Sequence, residues 1–370
     1  MDELPQIPDA EIADDLDFIK KVTVVGTSIL LIAIAWFTWQ IISGAISLTG
    51  PSDLVLEREN GFDELIQYDE VDHLSGDGVD VCMVDSGIDL THPDFDDLSL
   101  ADWSDFLNSQ SEPYDDNGHG TMMAGILVAD GGLTGIARDV NLYVAKALSG
   151  SGQGDDATVA EAIDWCVSKN VDIISLSLGS NSSGFSIILG DAVENAVDDA
   201  YNAGIVVVAA AGNDGEDDDG DVASPGSVST VICVGGVEIN GNLWAGSSDG
   251  DNSWSIIPPK IGRNSPNEKP EIVAPGHKVP VVMTGSECEG ADHCWGLSSG
   301  TSAATVYMTG AIAILFEEEP DLQGGGTDML DNLKQWIADS AKKRSGQENH
   351  DNEYGYGLLQ IEDLLDQASA

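Results

Sequence analysis

The chain has 370 residues, and its 65 acidic against 14 basic side chains give a formal net charge of -51. A charge of this sign and size argues against nucleic acids and anionic lipid head groups as partners, because both would be repelled. It is typical of proteins that work in high salt, where screening weakens the self-repulsion, and the 42 % hydrophobic content is enough for a globular core.

The N-terminal part of the chain has the pattern of a membrane anchor. Residues 1–21 are predicted to form an acidic cytoplasmic tail that ends in Lys20-Lys21. The uncharged residues 22–48 would form a helix of roughly 40 Å, more than the bilayer core of about 30 Å requires. A cleaved signal peptide is the alternative, because Ser43-Gly44-Ala45 has the small residues that a signal peptidase accepts. We expect 22–48 to span the lipid bilayer once and to leave the remaining chain outside the cell.

The pattern changes after a predicted polar linker at 49–75. From residue 76 to residue 370, strand-like and helix-like segments alternate, which predicts an α/β fold with a mostly parallel sheet covered by helices. The architecture is therefore expected to have three layers, preceded by one transmembrane helix. The predicted strands are 79–84, 141–147, 172–178, 205–211 and 231–237, and the predicted helices are 120–128, 155–168, 191–203, 327–341, one that follows Ser302 and one that follows Gly357.

Four polar residues stand where these elements begin or end. Asp85 follows the first strand, His119 lies in a glycine-flanked loop that enters a helix, Asn213 follows a buried strand, and Ser302 starts a helix. Open α/β sheets place their sites at such strand ends, and a helix start favours negative charge. Each residue alone is more often a turn former, a cap or a structural hydrogen bonder. Asp, His and Ser in this chain order, however, match one of the known orders of a serine triad.

The chain resembles the subtilisin-like serine proteases, the subtilases of peptidase type S8, from about residue 76 to residue 365. Several separate blocks carry the resemblance in the same order. These blocks are Val84-Asp85-Ser86-Gly87-Ile88 with His92-Pro93-Asp94, Asn117-Gly118-His119-Gly120-Thr121 with Ala124-Gly125, Val206-Val207-Val208-Ala209-Ala210-Ala211-Gly212-Asn213, Lys269-Pro270-Glu271-Ile272-Val273-Ala274-Pro275-Gly276 and Gly300-Thr301-Ser302.

The resemblance implies a serine endopeptidase that acts on polypeptides. Ser302 would be the nucleophile, His119 the general base and Asp85 the carboxylate that orients the imidazole. The Asn213 side chain and the Ser302 backbone N–H would bind the oxyanion. This chemistry requires no cofactor. An inactive subtilase-like domain that binds peptides or assembles at the cell surface is the alternative.

The resemblance also implies a cleft that binds an extended peptide. Two segments, 149–153 and 177–180, resemble the family's strands that bind a substrate backbone by strand addition. Asp214 is expected to line the pocket for the residue before the cut and to favour Lys or Arg there. The predicted substrate-binding residues are Gly150, Ser151, Gly152, Ser177, Leu178, Gly179, Ala210, Ala211, Gly212 and Asp214.

Three features depart from the family pattern. The segment Ala303-Ala304-Thr305-Val306-Tyr307 replaces the family's Met-Ala and the Pro-His that soon follows. The loop 129–135 is too short to resemble the family's calcium loop. Asp94 matches one calcium ligand of the family, but one carboxylate does not supply the roughly six to eight oxygens that a calcium site needs. We therefore predict no metal site, although a structural calcium ion elsewhere stays possible. The segment 49–84 leaves no room for the folding prodomain common in the family.

The five cysteines form an odd set without a CxxC spacing, which argues against a zinc site and a disulfide scaffold. Cys82, Cys166 and Cys233 lie in apolar segments and are predicted to be small buried side chains. Cys288 and Cys294 bracket a short polar loop. They would form a disulfide outside the cell or remain as thiols, and the sequence leaves both possibilities open.

Overall fold

The computed structural model describes one apolar helix and one α/β domain. The described residues are 9–42, 50–178, 192–215, 221–252, 255–256, 259–260, 263–285, 288 and 291–370. They fall into two compact units, Met1–Gly50 and Pro51–Ala370. The first unit contains helix α1 (Asp9–Ile42). Its section Phe18–Trp36, with a mean hydropathy of 1.9, has the length and composition of a membrane span or of a signal sequence, so the predicted apolar helix is confirmed.

The second unit is built around a parallel sheet of seven strands. The strands are β1 (Asp80–Asp85), β2 (Asp102–Asp105), β3 (Asn141–Lys146), β4 (Ile173–Leu176), β5 (Val206–Ala210), β6 (Ile232–Val237) and β9 (Ile272–Pro275), in the order β2-β3-β1-β4-β5-β6-β9. Every residue of β4, β5, β6 and β9 is buried, as expected for strands covered on both faces. The α/β class and the five predicted strands are confirmed. Sequence analysis predicted neither β9 nor β2, and the side chains of β2 are mostly half-buried and form no apolar run.

Helices cover both faces of this sheet. They are α2 (Asp53–Leu65), α3 (His119–Val128), α4 (Asp156–Ser168), α5 (Ala192–Asn202), α6 (Thr301–Glu318), α7 (Gly326–Ser340) and α8 (Ile361–Ala368). Side chains of β1 alternate between the faces: Val81 and Met83 join a hydrophobic cluster with α3 and α6, and Cys82 and Val84 join one with α4 and α5. This alternation produces the three predicted layers.

Helix α6 is the central helix of the domain. Of its 18 residues, 15 are buried, and it contacts β4, β5, β6 and β9. Its interior position explains why the segment after Ser302 is apolar all round rather than amphipathic. The sheet and α6 together fix the position of the residue that starts this helix.

The segment 49–75, predicted as a linker, contributes to the core of the domain. Ser52 caps the N-terminus of helix α2, because its side chain accepts a hydrogen bond from Val55 N. Val55 and Phe62 lie seven residues apart, on one face of the helix, and both are buried. Ile66 and Tyr68 continue this buried face. The compact unit therefore begins at Pro51 and not at residue 76.

Two disulfides are present, and one of them corrects the sequence analysis. Cys82 on β1 and Cys166 on α4 are bonded, with their Cα atoms 5.9 Å apart. They are buried, as predicted, but they are not free thiols, because the fold brings together residues separated by 84 positions. Cys288 and Cys294 form the second disulfide, one of the two possibilities left open above. Cys233 is a buried free cysteine, as predicted.

An antiparallel hairpin leads the chain to α6. It consists of β10 (Val279–Thr284) and β11 (His293–Ser298), and a shorter pair, β7 (Ser255–Ile256) with β8 (Pro259–Lys260), precedes it. Asp94 attaches the hairpin to the domain, because its carboxylate accepts hydrogen bonds from Trp295 Nε1 at 2.7 Å, Gly132 N at 2.7 Å and Leu133 N at 3.0 Å. Asp94 thus has a structural role of its own in joining β11 to the loop after α3.

Candidate active site

The polar residues singled out in the sequence lie at one end of the sheet. Asp85 is the last residue of β1, His119 is the first residue of α3, and Asn213 follows β5. Ser302 is the second residue of α6. Because the strands are parallel, their carboxyl ends meet at the same edge. His119, Asn213 and Ser302 accordingly line one cleft of about 700 Å³.

Asp85 holds the ring of His119. The imidazole Nδ1 lies 2.8 Å from one carboxylate oxygen and 3.0 Å from the other. The Asp85 side chain is 1 % exposed, and the first of these oxygens also accepts from Ser86 N at 2.6 Å. A carboxylate in this position favours the tautomer with the proton on Nδ1, which leaves Nε2 as the acceptor.

A second carboxylate, Asp115, shapes the loop that carries His119. One oxygen accepts from Ser86 Oγ at 2.9 Å, Asn117 N at 3.0 Å and Gly118 N at 2.8 Å. The other accepts from Thr121 N at 2.9 Å and Thr121 Oγ1 at 2.7 Å. Burial would raise the pKa of Asp115, but these donors outweigh it and hold the pKa below its usual range. Sequence analysis did not single out Asp115, although most of its donors are close in the chain; only the contact from Ser86, 29 residues away, depends on the fold.

Ser302 makes reciprocal hydrogen bonds with Ser177 at the end of β4. Its hydroxyl donates to Ser177 O at 3.1 Å, and the Ser177 hydroxyl donates to Ser302 O at 3.1 Å. A productive complex requires the Ser302 hydroxyl to donate to His119 Nε2 instead, a contact that often tightens only when substrate binds. Ser177 therefore fixes the first turn of α6 and positions the hydroxyl in the cleft.

Asn213 is oriented by Thr301, a residue that sequence analysis did not assign. Thr301 N donates to Asn213 Oδ1 at 2.8 Å, and Thr301 Oγ1 accepts from Gly212 N at 3.1 Å. Thr301 is 1 % exposed, so this anchor is shielded from water. Because Oδ1 is engaged, the Asn213 amide group is left to donate toward the cleft. Gly212, with φ 112°, adopts a backbone conformation that favours glycine.

The fold and this arrangement correspond to a known family. Residues 76–357, more than half of the chain, match the sequence model of the subtilase family. The chain belongs to the subtilase family. It is thus grouped with the subtilisin-like serine endopeptidases, and the predicted enzyme class is confirmed.

Individual relatives of this subtilase agree with the family match. Serine protease AprX of Bacillus subtilis is 34 % identical over 315 residues, which cover 79 % of this chain and 67 % of AprX. Minor extracellular protease Epr of Bacillus subtilis is 31 % identical over 290 residues, 78 % of this chain and 38 % of Epr. A crystal structure of a cold adapted subtilisin-like serine proteinase aligns with a TM-score of 0.58 and 25 % identity, over 78 % of this chain and 90 % of that one.

The cleft of this subtilase contains part of the predicted substrate-binding set. Gly150 and Ser151 are engaged beside it, since Gly150 O accepts from Asn117 Nδ2 at 3.2 Å and Ser151 Oγ lies 3.1 Å from Ser149 Oγ. Gly179 lies outside the described residues. The predicted residues that line the cleft are Gly152, Ser177, Leu178, Ala210, Gly212 and Asp214.

Ala211, predicted to bind substrate, does not line the cleft. It is fully buried behind the cleft in a small cluster with Val222 and Cys233. Successive side chains of an extended segment point in opposite directions, so Ala210 and Ala211 do not face the same pocket.

Sequence analysis did not assign several further lining residues, because the loops and helix starts that carry them meet only in the folded domain. They are Asn117, Leu148, Gln153, Gly154, Asp156, Val159, Val193, Ala223, Ser224, Pro225 and Thr301. Asp156 and Asp214 are the acidic members of the lining, and no Lys or Arg occurs among the described residues that form it. The cleft is therefore negative.

The electrostatics of His119 predict a displaced pH profile. Burial alone would lower its pKa, but the Asp85 carboxylate and, more weakly, Asp115 raise it above the ordinary value of 6.5. A general base must be neutral, so kcat/KM should fall with decreasing pH through a midpoint above 6.5. Asp115→Asn should move this midpoint to lower pH, as measured from kcat/KM against pH at low ionic strength. Asp164→Asn, on the exposed face of α4, is the charge-matched control, and equal midpoints in the two variants would contradict the prediction.

Proposed function

We propose that this subtilase hydrolyses peptide bonds of polypeptides with Ser302 as nucleophile, His119 as general base and Asp85 as the orienting carboxylate. The observation that carries the proposal is the His119 ring, held by both oxygens of Asp85 in the cleft that Ser302 lines. Attack of Ser302 Oγ on the substrate carbonyl transfers the hydroxyl proton to His119 Nε2. The imidazolium that forms is stabilised by Asp85.

The oxyanion is the group that Asn213 would stabilise. The Asn213 amide and the Ser302 backbone N–H donate to the negatively charged oxygen of the tetrahedral intermediate. His119 returns its proton to the leaving amine, which departs as the C–N bond breaks and an acyl-enzyme remains on Ser302. Water then attacks the acyl group by the same steps, and the peptide acid leaves with the Ser302 hydroxyl restored. No cofactor is needed for either half of this reaction.

Labelling with a fluorophosphonate probe tests the nucleophile. We expect wild-type protein in high salt to be labelled and the Ser302→Ala variant to remain unlabelled. An inactive peptide-binding or surface-assembly module is the alternative, and the proposal would be replaced by it if folded wild-type protein showed no Ser302-dependent labelling. The oriented His119 and Asn213 favour the enzyme, because a binding module needs neither.

The catalytic domain is proposed to act outside the cell, at the end of a membrane anchor. Lys20-Lys21 precede the apolar part of α1, and the exposed Trp36 and Trp39 stand near its other end, where interfacial aromatic residues are common. Disulfides persist in oxidising compartments, which supports an exterior domain. The relative named an extracellular protease agrees with this placement. Intact protein mass from the membrane fraction tests the anchor, since cleavage after Ala45 would indicate a signal peptide instead.

The acidic composition supports activity in a salty setting. At low ionic strength the net charge of -51 opposes folding by self-repulsion, and salt screens this repulsion. The melting temperature should therefore rise with KCl concentration. A melting temperature that is flat or falls with added salt would argue for an ordinary low-salt environment.

Asp214 is proposed to favour substrates with Lys or Arg before the cut. Its side chain is exposed in the cleft, and its backbone is fixed by the bond from Asp214 N to Ser248 Oγ at 3.1 Å. Asp214→Asn should lower kcat/KM for Lys and Arg substrates by roughly fivefold at low salt and leave Leu and Phe substrates unchanged. Asp156→Asn, elsewhere in the same cleft, is the control. Equal wild-type cleavage of basic and apolar peptides would contradict the proposal.

A further inference from the structure

Lys146 is a fully buried lysine beside the carboxylate of the proposed triad. It ends β3 and is the register partner of Asp85 at the end of β1. Its side chain is 0 % exposed, although lysine rarely leaves the surface completely. Burying an ammonium group is costly unless its protons find acceptors. The partners of Lys146 therefore show what its burial achieves.

Three acceptors take up the three protons of the Lys146 ammonium group. Nζ donates to Ser86 O at 2.5 Å, to Asp116 Oδ1 at 2.6 Å and to Leu148 O at 3.0 Å. The ring of Tyr114 covers the group, with its centroid 4.7 Å from Nζ. An ammonium group has three donors, so its hydrogen bonding is complete. The acceptors lie on three separate segments, which follow β1, precede α3 and follow β3.

The first of these contacts fixes Ser86, which is bonded to both segments of the catalytic pair, Asp85 and His119. Ser86 N donates to Asp85 Oδ1 at 2.6 Å, and Ser86 Oγ accepts from Gly120 N at 2.9 Å. Gly120 follows His119 in the first turn of α3. Because Ser86 contacts both segments, the bond from Lys146 to its carbonyl restrains the catalytic pair.

The other two contacts fix the peptide-binding edge, the segment 148–152 beside the cleft. Leu148 lines the cleft, and its N–H donates to Asp85 O at 3.1 Å. Asp116 precedes Asn117, whose Nδ2 donates to Gly150 O at 3.2 Å. One ammonium group thus connects the catalytic pair to the segment that is expected to bind the substrate backbone.

We propose that Lys146 is a positioning residue that keeps the catalytic pair and the peptide-binding edge in a fixed relative position. This inference rests on the proposed function, because the position matters only if Ser302 attacks a peptide bound along that edge. Loss of the ammonium group would leave the buried carbonyls of Ser86 and Leu148 without their donor, and both segments would shift. A displacement of about 1 Å between reacting groups can slow an enzyme by roughly 100-fold.

The kinetics of Lys146→Met test this role, with Lys334→Met as the matched control. Lys334 is also buried, and its Nζ donates to Ser229 O and Val231 O, outside the cleft lining. Titration of Ser302 with a fluorophosphonate sets the concentration of working enzyme, so an unfolded fraction does not count. For a peptide that spans the cleft, we expect Lys146→Met to lower kcat roughly 10- to 100-fold and to raise KM several-fold. Lys334→Met should leave both constants within about twofold of wild type, because its contacts do not reach the site.

Equal kcat and KM in the two variants would show that Lys146 only stabilises the fold. A change in one constant alone would show that it holds one of the two segments and not both. Either result overturns the proposal. Wild-type protein that is not labelled at Ser302 would instead refute the proposed function, and this inference with it.

Asp116→Asn decides the matter if Lys146→Met does not fold. It removes the negative partner of Lys146 from a side chain that is 48 % exposed, so the domain should tolerate the change. We expect kcat/KM to fall several-fold relative to Asp164→Asn, the variant with the same charge change on the exposed face of α4. Equal values of kcat/KM in these two variants would overturn the proposal.

Discussion

Ser302→Ala is expected to lower kcat/KM for peptide hydrolysis by roughly 10⁴- to 10⁶-fold. Alanine lacks the hydroxyl that forms the acyl-enzyme, so His119 has no proton to accept and only uncatalysed attack by water remains. Residual rate would come from substrate binding and oxyanion stabilisation, which do not need the nucleophile. A fluorogenic peptide with a basic residue before the cut measures the loss.

Ser299→Ala is the matched control for this variant. Ser299 lies three residues before Ser302, its hydroxyl oxygen accepts from Lys278 N at 2.9 Å, and it is not among the residues that line the cleft. We expect the Ser299 variant to keep activity within a few-fold of wild type. Substantial hydrolysis by the Ser302 variant would show that another group is the nucleophile.

Asp85→Asn is expected to lower kcat by about 10⁴-fold, with little change in KM. Asp85 accepts from His119 Nδ1 at 2.8 and 3.0 Å, and this contact keeps the proton on Nδ1. An asparagine amide in the same place donates a hydrogen bond and would favour the opposite tautomer. Nε2 would then carry the proton and could not accept one from Ser302. The imidazolium would also lose its stabilising charge.

Asp89→Asn provides the comparison for Asp85→Asn. Asp89 lies four residues after Asp85, but its carboxylate accepts from Thr91 N at 3.0 Å and Thr91 Oγ1 at 2.7 Å, so its role is local. Full kinetics of both variants separate kcat from KM. If Asp85→Asn kept near wild-type kcat, the orientation of His119 by Asp85 would not matter for the reaction.

Much of the fold is encoded in short stretches of the chain. The run of apolar residues predicted as a strand at 205–211 became β5 at Val206–Ala210, and the apolar segment after Ser302 became α6. Such patterns are local, because a strand buried on both faces or a helix buried in the core consists of consecutive apolar residues. Polar residues at the ends of these elements were therefore recognisable too.

Contacts between segments that are distant in the chain produce no such local pattern in the sequence. Nothing near Cys82 indicates that Cys166 on α4 lies within bonding distance. Nothing near Asn213 indicates that Thr301, 88 residues away in the chain, orients its side chain. The segment that forms helix α2 was predicted to be a polar linker, because only one face of this helix packs against the core and most of its residues are polar.

The sequence by itself determined that Asp85, His119, Asn213 and Ser302 lie at the ends of parallel strands and of the helices that follow them. Only the tertiary structure decided how these side chains meet: the two oxygens of Asp85 on His119, the hydroxyl of Ser302 on Ser177, and the amide of Asn213 turned by Thr301. The physical reason is that element ends are fixed by local burial and backbone preferences, whereas distances between side chains depend on how the sheet and helices pack.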